Sequence, residues 1–490
     1  MRMHTQKPLS IVIIGTGFAG LCLAIRLKQA GIDSFTVLER AEAIGGTWRD
    51  NTYPGAACDV PSHLYSFSFE PNPRWTRQFA PQAEILDYLN HCVDKYGLRP
   101  HLRFNSPVTS ARFDERAEEW VLTVGAGEEV RATVVISACG GLSRPSLPRI
   151  PGLAGFQGKV FHSASWDHGY ALEGKRVAVI GTGASAIQIV PRIAPRVKQL
   201  HLFQRTPPWI LSKDDRDIGQ GERKLYEALP VAQWLHRQLI YWRLESRVPF
   251  FIVAPSVLKL AEREARRFLE QSIPDPELRA KLTPNYVLGC KRVLLSNDYY
   301  PALLRPNVEL VTEGIQEITR DGLLTKEGTA RSVDAIIFAT GFQAAEAAAP
   351  FPIHGRGGLE LEEAWRTNAE AYLGATVAGM PNLFFLVGPN TGLGHSSMVF
   401  MIESQAQYVL ECIEVMRREG LGSLEVRQDA QERFNQRLHE RLDRTVWSTG
   451  GCVSWYRTSS GKNTTLWPGF TFEFRWRTQR PDLTDYHLGK

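Results

Sequence analysis

IVIIGTGFAGLCLAIRLKQAG, residues 11–31, sets an apolar β-branched run, Ile11, Val12, Ile13 and Ile14, ahead of three glycines and a helically spaced apolar set, Leu21, Ala24, Ile25 and Leu27. The order reads as strand, tight turn, helix. Gly15 allows the turn, Gly17 lets backbone approach a pyrophosphate, and Gly20 lets the helix pack on the strand. The N–H groups at the helix start then point at phosphate. Glycine turns also arise from packing alone, so the loop needs support. The next strand, SFTVLER at residues 34–40, supplies it by ending in Glu39, 22 residues past Gly17, where a carboxylate can take ribose hydroxyls.

The same unit returns at KRVAVIGTGASAIQIV, residues 175–190, with Gly181, Gly183 and Ala186 in the glycine positions. Its second strand, QLHLFQRT, puts Arg205 22 residues past Gly183, where the first unit has Glu39. A 2′-phosphate repels a carboxylate and suits a guanidinium, so the second site is expected to take NADPH and the first FAD or NAD. Three further apolar strands end in glycine: VVISACGG around Gly140, VDAIIFATGF with Gly341, and NLFFLVGPN with Gly388 and Pro389. The first two read as domain-crossing strands. The third precedes GLGHSSMVFMIESQAQYVL, a helix whose start can meet a flavin. Residues 214–284 change to amphipathic helices such as KLYEALPVAQWLHRQLIYWRL, a helical insertion whose Trp and Tyr residues are expected in a core.

A chain of 490 residues, 43% hydrophobic, is long enough for several domains, and 57 basic against 52 acidic residues leave no single-sign block. Neither nucleic acid nor a membrane is expected as a partner. The apolar runs at SIVIIG and near Pro249 are too short to span a bilayer. Seven scattered cysteines without a CxxC pair fit reduced thiols in the cytoplasm, not a disulfide framework. No metal site is expected. Two dinucleotide units in one chain suggest electron transfer from NADPH to flavin. After Glu39, AIGGTWRDNTYPGAACDV has Trp48 and the solitary Cys58 where a disulfide reductase would carry a cysteine pair, so oxygen chemistry remains.

FQGKVFHSASWD, residues 156–167, resembles the FxGxxxHxxxW(P/D) fingerprint of type I Baeyer–Villiger monooxygenases, through Phe156, Gly158, His162, Trp166 and Asp167. The similarity runs over almost the whole chain: the paired glycine loops, GGTW at 45–48, YPGAACD at 53–59, QRTP at 204–207, CKR at 290–292, ATGF at 339–342 and SWY at 454–456. It implies an α/β fold of two Rossmann-like domains with a helical insertion. The expected parts are an FAD domain over 1–144 and 374–490, an NADPH domain over 145–213 and 289–373, and an insertion over 214–288. It implies an FAD- and NADPH-dependent enzyme using O2 to turn a ketone into an ester or lactone through a C4a-peroxyflavin, with sulfide oxidation as a side activity.

The resemblance implies Arg292 as the catalytic cation, Asp59 as its partner, and Lys291 beside Arg205 on the 2′-phosphate. It adds Gly46, Thr47, Trp48, Ser185, Thr206 and Gly341 to the cofactor contacts. The fingerprint is expected on the connection between the halves, with Gly158 permitting bending, His162 hydrogen-bonding across the junction and Trp166 anchoring one end. Two other readings stay open: a heteroatom monooxygenase, with little need of Arg292, and a redox sensor that transfers no oxygen. The C-terminal GCVSWYRTSSGKNTTLWPGF reads equally as a lid or as a surface loop. Neither the particular ketone nor the oligomeric state is legible.

Overall fold

The computed structural model describes residues 9–252, 255–343, 349–458 and 460–489. Its first parallel sheet has the order Leu383–Phe385, Val134–Ser137, Ile11–Ile14, Phe35–Leu38, Leu102–Arg103. The second runs Val308–Val311, Gln199–Phe203, Arg176–Ile180, Ala335–Phe338, Lys159–His162, also parallel. Strands Ile11–Ile14, Val134–Ser137 and Ala335–Phe338 are buried at every residue, which is why they read as continuous apolar runs rather than as alternations. These are two Rossmann-like domains in one chain.

Val134–Ser137 and Ala335–Phe338 are interior strands of their own sheets. The crossing segments that follow them run side by side: Ser146 N–H donates to Gly341 O at 2.8 Å and Gln343 N–H to Arg144 O at 2.9 Å. Each crossing strand also ends against a glycine turn. A Cβ on Gly15 (φ 107°) would stand 2.7 Å from Ala138 O, and one on Gly181 (φ 113°) 2.4 Å from Ala339 O. A Cβ on Gly20 would stand 1.9 Å from Gly15 O. In the second unit the helix Ala186–Ile193 begins two residues later in the loop than Phe18–Gln29 does, and the Ala186 methyl is accommodated.

Helices Gln220–Ala228, Pro230–Glu245, Val248–Ile252, Pro255–Ser272 and Pro276–Leu282 fill the stretch between the two parts of the second sheet. One expectation fails there. Tyr226 and Tyr241 are buried, but Trp234 and Trp242 are each 56% exposed. The reason is that Pro230–Glu245 buries a mixed face, Gln233, Arg237, Tyr241, Leu244 and Glu245, and both Trp residues stand on the other side. Of the apolar run near Pro249, residues 253 and 254 lie outside the described residues. Among the described residues no helix is long and apolar enough to cross a membrane.

Candidate active site

Both glycine turns open onto one cavity of about 1360 Å³. Its walls carry Gly15, Gly17, Glu39, Gly46, Thr47 and Trp48 from the first half, and Gly181, Gly183, Ser185, Arg205 and Thr206 from the second. Asp59, Lys291, Arg292, Gly341, Gly388 and Pro389 complete the set of residues nominated from sequence that line it. Gly20 is behind the wall, where its missing side chain lets helix meet turn.

Glu39 ends its strand almost fully buried. Its carboxylate accepts from Thr16 N at 3.0 Å, Thr16 Oγ1 at 2.6 Å and Ala41 N at 3.0 Å, and pairs with Arg49 Nη1 at 3.0 Å. Burial raises its pKa, but the Thr16 hydroxyl, the backbone donors and Arg49 together hold it below the usual carboxylate range. The first loop therefore presents a fixed negative charge. The second presents the opposite sign. Arg205 is exposed, Lys291 lies over the Tyr286 ring with Nζ 5.0 Å from its centroid, and among the described residues neither has a carboxylate partner. Burial first, then the nearby Arg205 charge, pull the Lys291 pKa below its ordinary value. Two uncompensated cations beside an open backbone make an anion site: no atom stands within 4 Å of where a Cβ on Gly183 would be.

Arg292 and Asp59, 233 positions apart, form a two-pronged pair: Nε to Oδ2 and Nη2 to Oδ1, both 2.8 Å. Nη1 reaches toward Leu393 O at 3.4 Å. The Asp59 charge, outweighing burial, lifts the Arg292 pKa further above its ordinary range, so the guanidinium stays charged at every working pH. Tyr456 of SWY, not nominated from sequence, is buried near this pair, and among the described residues its hydroxyl has no partner. Burial pushes that hydroxyl up to about 12, the Arg292 charge lowering it and Asp59 raising it. Sequence reasoning also missed Gln188, whose Nε2 donates to Ala57 O at 3.0 Å while Oε1 accepts from Tyr53 Oη at 3.0 Å. That side chain ties the second loop's helix to YPGAACD. Cys58 is inert, its thiol pushed up to about 12 by burial and then by Asp59.

The fingerprint residues do not line the cavity. Lys159–His162 is the edge strand of the second sheet, in register with Ala335–Phe338. Phe156 packs with Ile336 and Phe338 beneath that sheet. Packing requires a glycine at 158: a Cβ there would stand 2.6 Å from Asp334 O and 2.5 Å from the Phe156 ring. His162 Nδ1 accepts from Ala164 N at 3.1 Å; burial lowers its pKa, which the Gly341 backbone partly offsets. Trp166 meets Phe161 edge-on at 5.0 Å, and Asp167 pairs with Lys159 at 2.5 Å.

One further expectation is revised. Cys290 and Cys452 are joined in a disulfide, leaving five free cysteines. Spacing could not reveal it, because the partners are 162 residues apart and meet only after the C-terminal segment folds back. That segment forms a cavity wall through Val453, Ser454 and Trp455, beside the turn that carries Lys291 and Arg292. Among the described residues, His63, Glu222 and His236 are the group whose atoms converge enough to consider for a metal ion, and they stand outside the cavity. Gln233 Nε2, which donates to Asn72 O at 2.8 Å, also faces His63 Nδ1 at 3.2 Å.

Residues 8–248 match the family model described as flavin-binding monooxygenase-like. A Baeyer–Villiger monooxygenase of Pseudomonas aeruginosa is 54% identical over 479 residues, covering 98% of this chain and 91% of that protein. One from Streptomyces coelicolor is 51% identical over 491 residues, covering 100% and 94%. Among solved structures, OTEMO in complex with FAD and NADP superposes with a TM-score of 0.88 at 29% identity, covering 99% of this chain and 100% of that one. Cyclohexanone monooxygenase from Rhodococcus sp. Phi1 bound to NADP+ does so at 0.88 and 29%, covering 98% and 99%. With relatives this similar over nearly the full length of both chains, the protein belongs to the Baeyer–Villiger monooxygenase family of flavin-binding enzymes.

Proposed function

We propose that the chain uses NADPH and O2 to insert one oxygen atom beside a ketone carbonyl, giving an ester or lactone. The observation that carries this reading is a permanent cation, Arg292, held on two prongs by Asp59 in the wall shared by both dinucleotide loops. FAD would be held by Gly15, Gly17, Glu39, Gly46, Thr47, Trp48, Gly388 and Pro389. NADPH would be held by Gly181, Gly183, Ser185, Thr206 and Gly341, with Arg205 and Lys291 on its 2′-phosphate. When bound, the flavin supplies the reduction and transfer of oxygen.

The protein's part is electrostatic. As oxygen adds to the carbonyl carbon, negative charge grows on the carbonyl oxygen. A guanidinium fixed in place meets that charge without reorganising, an effect worth about 3 kcal/mol per donor. Asp59 sets the guanidinium's direction and, by stabilising its charge, rules it out as a proton donor. The burial of Cys58, which pushes its thiol up to about 12, weighs against a thiol relay at that position. A cytoplasmic location, where NADPH is supplied, goes with this reading.

The test is turnover of a panel of linear, cyclic and aryl ketones and of sulfides with NADPH, products identified by mass. Esters or lactones are expected. Sulfoxides or N-oxides alone would move the chain to heteroatom oxygenation, and NADPH oxidation with no oxygenated product would make it a redox sensor.

A further inference from the structure

Helix Pro230–Glu245 leaves most of its large apolar side chains outside. Its protein-facing side is largely polar: Gln233 donates to Asn72 O, Arg237 Nη1 donates to His63 O at 2.5 Å, and Glu245 accepts from Thr471 N and Oγ1, both at 2.9 Å, with Tyr241 and Leu244 the apolar residues buried beside them. Its outward side is Val231, Trp234, Leu235, Leu239 and Trp242, one stripe in which Trp234 and Leu235 are adjacent and the other steps are three or four residues, all more than half exposed. A water-facing helix carries the reverse pattern. The patch continues past the helix. Phe472 lies 6.0 Å from Trp242, ring to ring, and Trp476, 71% exposed, follows one turn later on the helix Thr471–Arg477. Contiguous exposed apolar surface of this kind marks a contact with something other than water.

The charges around the patch select what that is. Lys224, Arg243, Arg247 and Arg480 are exposed, and among the described residues none makes an ion pair. Against these four cations stand three exposed acids: Glu227 on the same helical hairpin, Glu264, whose charge acts on Arg247, and Asp482, two residues past Arg480. A two-fold interface with a second copy would bring two such basic rims together, at a repulsive cost. An anionic lipid surface neutralises them, while Trp234, Trp242 and Trp476 seat at headgroup depth and the leucines just below.

We propose that this face, formed by helix Pro230–Glu245 with Phe472 and Trp476, binds peripherally to anionic phospholipid membranes. This reverses the expectation from sequence that no membrane is a partner, and the inference stands independently of the catalytic reading. The helix lies in the interface plane and spans nothing. Binding combines apolar burial with attraction to headgroups, so it falls as salt rises.

The experiment is co-sedimentation of the flavin-loaded full-length protein with vesicles of phosphatidylcholine, alone or mixed with phosphatidylglycerol, monitored also by tryptophan emission. The protein is expected to partition onto the mixed vesicles with a blue-shifted emission and to bind phosphatidylcholine alone weakly. Replacing Trp234, Leu235 and Leu239 together by Ser is expected to lower partitioning about tenfold or more, with flavin content and turnover of a water-soluble ketone retained. Arg243→Glu with Arg247→Glu, which leaves the apolar residues in place, should weaken binding to the mixed vesicles alone. Absence of sedimentation with either vesicle, or undiminished binding of the Ser variant, would overturn the proposal. So would a concentration-dependent dimer, seen by light scattering, that the Ser variant disperses in a protein that ignores vesicles; the face would then belong to a second copy.

Discussion

Arg205→Ala isolates the anion site of the second loop. Arg205 and Lys291 share it without a carboxylate, and a 2′-phosphate would gain charge-assisted hydrogen bonds from both. Such bonds contribute about 1.5–3 kcal/mol. Arg205 is exposed and screened by solvent, so the lower end applies, which is roughly a tenfold rise in the apparent NADPH constant. NADH, lacking the phosphate, should be unaffected.

The lowered Lys291 pKa adds a pH signature. A cation binds phosphate only while protonated, so NADPH affinity is full below the Lys291 pKa and falls as pH rises through it. That fall begins on the alkaline side, below the ordinary lysine value, because burial and Arg205 both depress the proton affinity. Removing Arg205 deletes one of those two causes, so the onset should move to higher pH even as affinity drops. The assay is initial rates of NADPH and NADH oxidation across alkaline pH, at low and high salt. Equal losses for both coenzymes, or an onset that moves to lower pH, would refute the assignment.

Arg292→Ala should leave flavin content intact and cut ester formation a hundredfold or more, with NADPH oxidation diverted to hydrogen peroxide; product and peroxide measured together decide it. Asp59→Ala should do this in part, since it frees the guanidinium without removing it. Gly20→Ala should prevent stable folding, its Cβ falling 1.9 Å from a backbone oxygen, whereas Gly183→Ala, facing open space, should fold with a normal melting temperature and lose NADPH affinity. Alkylation after denaturation without reductant should modify five cysteines and spare Cys290 and Cys452. Cys452→Ser should then lower the melting temperature, since a native disulfide typically contributes about 2–4 kcal/mol. Seven alkylated cysteines would dismiss the bond.

What could be read from sequence is local in origin. Gly15, Gly17 and Gly20 act within six residues of one another, the strand and helix beside them have their own periodicities, and Glu39 and Arg205 sit one βαβ unit downstream of their loops. Short-range sterics and hydrogen bonding dictate such units, so each could be recognised twice in one chain, along with the sign of charge each offers. Arg292 is different: beside Lys291 it reads as a solvated pair, and family resemblance singled it out. Only folding brings it to Asp59, across 233 residues, and Cys290 to Cys452, across 162. Nothing in spacing encodes those meetings. The helix Pro230–Glu245 shows the same limit in its sidedness. Its period of 3.6 separates two faces but does not say which is turned inward. Here the hydrogen-bond partners at Asn72, His63 and Thr471, contributed by distant segments, hold Gln233, Arg237 and Glu245 in and leave Trp234 and Trp242 facing out.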